Sequence, residues 1–226
     1  RLSPPARPDR LPPVPDRLIV FDLDGTLVDS RADLAASANH LRAAWSMPPL
    51  PETEVGKLIG HGLGKLVRGL LSIEDAHEVE RRMDVFRRHY REHCLDRTRL
   101  YEGVLETLAA LDGRAMAVVT NKPKSFTDQI LLGLGIASRF GLVLGADSTP
   151  RRKPDPMPIL VAMERLGAAP GETLVVGDSD TDVIAGKAAG ARTCGVTYGI
   201  GDVAVLRAHA PDHLIDRFPD LLRVVR

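Results

Sequence analysis

Leu18-Ile19-Val20-Phe21-Asp22-Leu23-Asp24-Gly25-Thr26 is the stretch from which the fold can be read. Four apolar residues run unbroken into an acidic pair and a glycine. A short continuous apolar run bounded by a turn signal marks a strand buried on both faces, as parallel sheets require. Three further runs of this kind follow at residues 115–119, 142–144 and 174–176. Amphipathic stretches at about 104–111, 125–134, 157–166 and 182–189 lie after them or between them, with lengths that suit crossover helices. Strands alternating with helices predict an α/β fold, a doubly wound and mostly parallel sheet.

One segment breaks the alternation. From residue 31 to 99, apolar residues recur at helical spacing, as in Leu63, Leu66, Val67, Leu70 and Leu71, or Val79, Met83, Phe86 and Tyr90, with almost no strand-like run. An inserted α-helical unit is expected there. Ahead of the first strand, Pro4, Pro5, Pro8, Pro12, Pro13 and Pro15 stand among Arg and Asp, a composition that forms neither helix nor sheet efficiently. The chain therefore reads as a Pro-rich leader over 1–16, a core over 17–30 and 100–226, and a helical insertion over 31–99.

Composition narrows the function. Lys plus Arg equals Asp plus Glu at 30 each, so no global field draws the protein toward nucleic acid or anionic lipid, and any attraction for anions is local. Neither partner class is expected. Cys94 and Cys194 are far apart and show no metal-type spacing, which argues against a disulfide framework or a zinc site and favours a reducing cytoplasm. No apolar run approaches the ~20 residues of a membrane helix.

The chemistry is concentrated at the ends of the expected strands, where open α/β sheets bind ligands. Asp22 and Asp24 follow the first strand. One carboxylate there can attack phosphorus while its neighbour two residues on protonates the leaving oxygen. Gly25 permits the tight turn this demands. Thr120 and Asn121 end the second strand and offer a hydroxyl and a backbone N–H to phosphoryl oxygens, although a Thr in this place equally suits a plain turn. Lys153 follows the third strand. It can clamp the transferred group and hold Asp22 ionised, although a single Lys is more often solvent-facing. Asp178-Ser179-Asp180-Thr181-Asp182 follows the fourth, an acidic loop suited to a hard cation with oxygen ligands.

These four features, in this order, resemble the haloacid dehalogenase superfamily of phosphohydrolases, and the resemblance runs from about residue 18 to residue 222. It implies a Rossmann-like core with a mobile helical cap over 31–99 that closes on the site. It makes Asp22 the nucleophile that accepts the phosphoryl group, and Asp24 the general acid and base. Thr26 would support the loop at the phosphate site, and Thr120, Asn121 and Lys153 would bind the phosphate. Mg²⁺ would be held by Asp22, the Asp24 carbonyl and Asp178, with Asp182 as an outer residue orienting the site.

Further segments are similar to the phosphoglycolate phosphatase branch: Ile59-Gly60-His61-Gly62-Leu63, Tyr101-Glu102-Gly103-Val104, Val119-Thr120-Asn121-Lys122-Pro123 and Gly195-Val196-Thr197-Tyr198-Gly199. That likeness implies a small phosphomonoester substrate, 2-phosphoglycolate, with His61, Lys65 and Arg68 as the candidate cap residues contacting it. The residues themselves leave open another sugar phosphate, a cell-wall sugar phosphate, a phosphomutase, or a nonenzymatic module that accepts phosphate on an Asp.

Overall fold

The structure is a computed structural model that describes residues 15–226. β1 (Leu18–Phe21), β4 (Ala115–Val119), β5 (Leu142–Leu144) and β6 (Thr173–Gly177) lie where the apolar runs place them. Two further strands, β7 (Arg192–Val196) and β8 (His213–Ile215), complete a six-stranded sheet in the order β5-β4-β1-β6-β7-β8, with every pair parallel. Neither strand shows an apolar run in the sequence, because β7 contains Arg192, Thr193 and Gly195, and β8 is a three-residue edge. Thr193 and Cys194 are nonetheless buried. Tertiary packing, not apolar patterning, makes β7 a strand.

Side chains alternate across β1. Ile19 and Phe21 enter one core layer, and Leu18 and Val20 enter the other. On the first face Phe21 meets Phe140 edge-on at 6.2 Å and Phe218 at 5.9 Å between ring centroids. On the second face lie α7 (Met157–Leu166) and α8 (Asp180–Ala188), through Ile159, Met163, Ala185 and Ala189. The remaining core helices are α5 (Val104–Ala110), α6 (Lys124–Gly133) and α9 (Val203–Ala208).

Between β1 and β4 the chain makes a two-stranded antiparallel ribbon, β2 (Val28–Asp29) against β3 (Arg99–Leu100), and from this ribbon the helices α1 (Arg31–Ala44), α2 (Glu52–Gly56), α3 (Leu63–Leu71) and α4 (Ala76–His93) project. Arg99, expected within the helical segment, belongs to the ribbon. The apolar face of α4 is Val79, Met83, Phe86 and Tyr90, as the spacing predicts, and it continues the first core layer through Tyr90 packed edge-on against Phe126 of α6 at 5.1 Å. Asp75 caps α4 by accepting the Glu78 N–H at 2.8 Å.

Asp33 in the first turn of α1 ties the outgoing and returning chain together. It is buried and accepts from the backbone N–H of Arg97 and of Thr98 and from the Thr98 hydroxyl, at 2.8–3.1 Å. Asp33→Ala strands those donors, so we expect a loss of about 3 kcal/mol, counting charge-assisted bonds at the upper end of their range. For a chain of this size that lowers the melting temperature by roughly 6–12 °C in a thermal scan.

The leader expected over 1–16 lies, through residue 14, outside the described residues. Its last member is corrected by the structure: Asp16 is buried, accepts from the Arg192 guanidinium at 2.7 and 2.8 Å, and pairs its backbone with Arg226, so it is part of the core. Among the described residues no helix is long and apolar enough to cross a membrane.

Candidate active site

The sheet order reverses at β1, whose two neighbours, β4 and β6, are reached by chain running in opposite directions from it. The crevice at such a switch point is where the strand ends open onto a ligand. Register aligns Phe21 with Val118 and Val176, and the Asp22 N–H continues the ladder to the Val176 carbonyl at 2.9 Å. Asp22 is therefore level with Val119 and Gly177, and Thr120 and Asp178 leave the two neighbouring strands one residue beyond it. The tight turn after Asp24 is closed by Gly25 N–H to Val28 and by Leu27 N–H to Leu23. Gly25 has φ +85°, and a Cβ on it would collide with the Asp178 carboxylate, so the turn and the acidic loop pack without room for a side chain.

Two buried lysines organise the carboxylates. Lys153 donates to Asp22 Oδ1 at 2.7 Å and to Asp182 Oδ1 at 2.6 Å. Lys122 donates to both oxygens of Asp24 at 2.8 and 2.9 Å, and the Ser30 hydroxyl adds a bond to Asp24 Oδ1 at 2.5 Å. Asp182 is further fixed by Ser179, whose N–H and hydroxyl both reach its Oδ2 at the start of α8. Asp178 accepts the N–H groups of Ile200 and Gly201 at 2.7 and 2.8 Å.

Burial pushes the Asp178 carboxyl up to about 8, with Asp22 and Asp182 adding repulsion. Asp22 is raised to about 6, again by burial first, against the lowering effect of Lys153. Carboxylate oxygens of Asp22, Asp178 and Asp182 lie within 4.8 Å of one another. Four carboxylates, those three and the partly buried Asp24, face two buried ammonium groups, so that with all four ionised the all-oxygen donor set carries two excess negative charges. That is the charge and ligand chemistry of a hard divalent cation, so the residues present fit one.

The cleft is lined by Asp22, Asp24, Thr120, Asn121 and Lys153 of the residues named from sequence, together with Lys122, Tyr90 and apolar side chains of α1, α3 and α4. Its cavity volume is about 50 Å³. Asn121 uses its side-chain amide to donate to the Gly60 carbonyl at 2.9 Å and to the Lys153 carbonyl at 3.0 Å, joining the core to the helical segment. Thr26, expected near the phosphate, does not line the cleft. Its hydroxyl is buried without a partner and its carbonyl accepts from the Tyr198 hydroxyl at 2.8 Å, so it sits beneath the turn.

The three residues expected to face the substrate from the helical segment are not among those lining the cleft. His61 and Lys65 line an adjoining groove with Arg151, Arg152 and Lys153, and Arg68 is exposed on α3. For Lys65 and Arg68 the reason is helical phase. Leu66, Val67 and Leu70 turn inward, which leaves positions 65 and 68 on the outer face.

Comparison with known proteins agrees with this geometry. Residues 19–196 match the family model for haloacid dehalogenase-like hydrolase. The chain is 40% identical over 213 residues to a phosphoglycolate phosphatase of Neisseria meningitidis, covering 90% of this chain and 91% of that one. It is 36% identical to the N-acetylmuramic acid 6-phosphate phosphatase of Pseudomonas aeruginosa, covering 92% and 94%. A crystal structure of a Haemophilus somnus protein, titled a predicted phosphoglycolate phosphatase, superposes with a TM-score of 0.87 at 36% identity and covers 92% of this chain and 97% of its own.

Proposed function

The chain belongs to the haloacid dehalogenase-like hydrolases and is a phosphomonoester hydrolase, and from that premise we propose that it is a Mg²⁺-dependent enzyme converting 2-phosphoglycolate to glycolate and phosphate. The observation that carries the reaction is the pair of carboxylates at the end of β1, each held by its own buried lysine. Asp22 attacks phosphorus through its free oxygen, and Asp24 gives a proton to the leaving oxygen. A water then attacks the aspartyl phosphate with Asp24 acting as base, the reverse of its first role.

Lys153 meets the negative charge of the transferred group and also restrains Asp22, while Asp182 fixes Lys153 from the far side. Thr120 and the backbone at Asn121 supply further donors to the phosphoryl oxygens. Asp22, the Asp24 carbonyl and Asp178 would hold Mg²⁺, which supplies charge neutralisation of the phosphate dianion when bound. The helical segment over 31–99 acts as a cap that excludes water while Asp22 is phosphorylated. Both cysteines are free and buried, which suits a reducing cytoplasm.

The likeness to phosphoglycolate phosphatases supports a two-carbon leaving group over a sugar. We expect kcat/KM for 2-phosphoglycolate to exceed that for glucose 6-phosphate by more than about a hundredfold, a gap near 3 kcal/mol. Phosphate release measured across a panel including N-acetylmuramic acid 6-phosphate checks this. Equal rates on two-carbon and sugar phosphates would remove the phosphoglycolate assignment and leave the phosphatase in place.

A further inference from the structure

The cleft contains a hydrogen-bond donor that the fold does not use. Tyr90 of α4 is 1% exposed, yet no acceptor lies within hydrogen-bond distance of its hydroxyl, and Lys122 beside it can only donate. Leaving such a group unpaired is costly, and folded proteins pair nearly all of them. The fold has not placed this hydroxyl for its own stability. Burial holds the phenol well above its usual pKa, so it stays a donor.

The surroundings of Tyr90 indicate what it would meet. Its ring is fixed by Phe86, stacked at 5.5 Å, and by the edge-on contact with Phe126. Lys122 Nζ lies 4.8 Å from the ring centroid while binding both Asp24 oxygens. Tyr90, Lys122 and Asp24 are therefore grouped in the cleft, which Leu34, Leu63, Leu66 and Phe86 also line. Asp24 serves the leaving oxygen, so groups gathered about it face the leaving group, whereas Lys153 and Thr120 face the transferred phosphoryl. A charged leaving group entering a cavity of about 50 Å³ needs donors within reach, and beside Asp24 these are Tyr90 and Lys122.

We propose that Tyr90 is a specificity-determining residue, its hydroxyl donating to a carboxylate oxygen of a short leaving group while Lys122 supplies the adjacent positive charge. This rests on the phosphoryl-transfer reading above and names the chemistry that reading requires: a phosphomonoester whose leaving group carries a carboxylate close to the ester oxygen. The selective contact then comes from α4 and the loop after β4, and not from the exposed cations of α3.

The test is Tyr90→Phe, which keeps the ring and its packing. Its readout is the ratio of kcat/KM for 2-phosphoglycolate to that for ethyl phosphate, a substrate of similar size without the carboxylate. The ratio is expected to fall at least tenfold, about 1.4 kcal/mol, with a melting temperature no lower than wild type because the lost hydroxyl was unpaired. An unchanged ratio, or parallel loss on both substrates, overturns the assignment, as does a lowered melting temperature with the ratio intact. If wild type shows no preference for 2-phosphoglycolate, the substrate reading fails by itself. The Tyr90 assignment is then decided by the same ratio taken on the best carboxylate-bearing substrate of the panel, and it falls if no such substrate is preferred over ethyl phosphate.

Discussion

Asp22→Asn is expected to lower turnover by at least ~10³-fold and to leave the melting temperature within a few degrees of wild type or above it. The asparagine keeps the shape of the side chain at the end of β1 but presents no anionic oxygen to phosphorus. Its effect on folding is small for a stated reason. Asp22 is buried beside Asp178 and Asp182, and its raised pKa of about 6 means that the fold disfavours its charge. Removing that charge relieves repulsion, while Lys153 keeps its 2.6 Å contact with Asp182. A residue retained at a cost in stability is one retained for chemistry. Steady-state phosphate release and a thermal scan on the same preparation decide it. Turnover within tenfold of wild type would remove Asp22 from the role.

Metal removal is expected to have an effect of similar size. With EDTA, phosphate release falls to background, and added Mg²⁺ restores it, because an all-oxygen site with two excess negative charges favours a hard cation. Asp178→Ala reproduces the stripped enzyme. A second readout is independent of turnover. Neutralising the Asp22, Asp178 and Asp182 cluster stabilises the folded state by mass action, about 2.7 kcal/mol at a hundred times the dissociation constant. Mg²⁺ should therefore raise the wild-type melting temperature by several degrees and leave that of Asp178→Ala almost unmoved. Full activity after EDTA treatment and dialysis would contradict the assignment.

Much of this was legible in the sequence, for a physical reason. In a doubly wound sheet the strands are fully buried, so they appear as unbroken apolar runs, and the site forms where those runs stop. Asp22, Thr120, Lys153 and Asp178 could each be placed by the strand that precedes it. Strand order could not be read, but the expectation that ligands bind at strand ends made it unnecessary. The helical insertion showed in the spacing of Val79, Met83, Phe86 and Tyr90, all of which are buried.

What escaped the sequence depends on orientation or on distant partners. Lys65 and Arg68 looked suited to an anion, but the rotation of α3 places them outside, and a sequence gives a helix face without saying what it faces. Lys122 was visible within Thr120-Asn121-Lys122-Pro123, yet its bond to Asp24 joins residues 98 apart in the chain. Ser30 carries no local signal, and Tyr90 shows in the sequence as one of the apolar face of α4 and not as a polar group of the cleft. β7 escaped because Thr193 and Gly195 are buried by their neighbours and not by their own hydrophobicity.

The central claim is that phosphoryl transfer passes through Asp22 itself. Acid quenching of the Mg²⁺-loaded enzyme during turnover of radiolabelled substrate, followed by peptide mapping, tests it most directly. The account predicts label bound covalently to the peptide carrying Asp22 in wild type and none in Asp22→Asn. Label on another residue, or turnover with no protein-bound phosphate at any quench time, would contradict it.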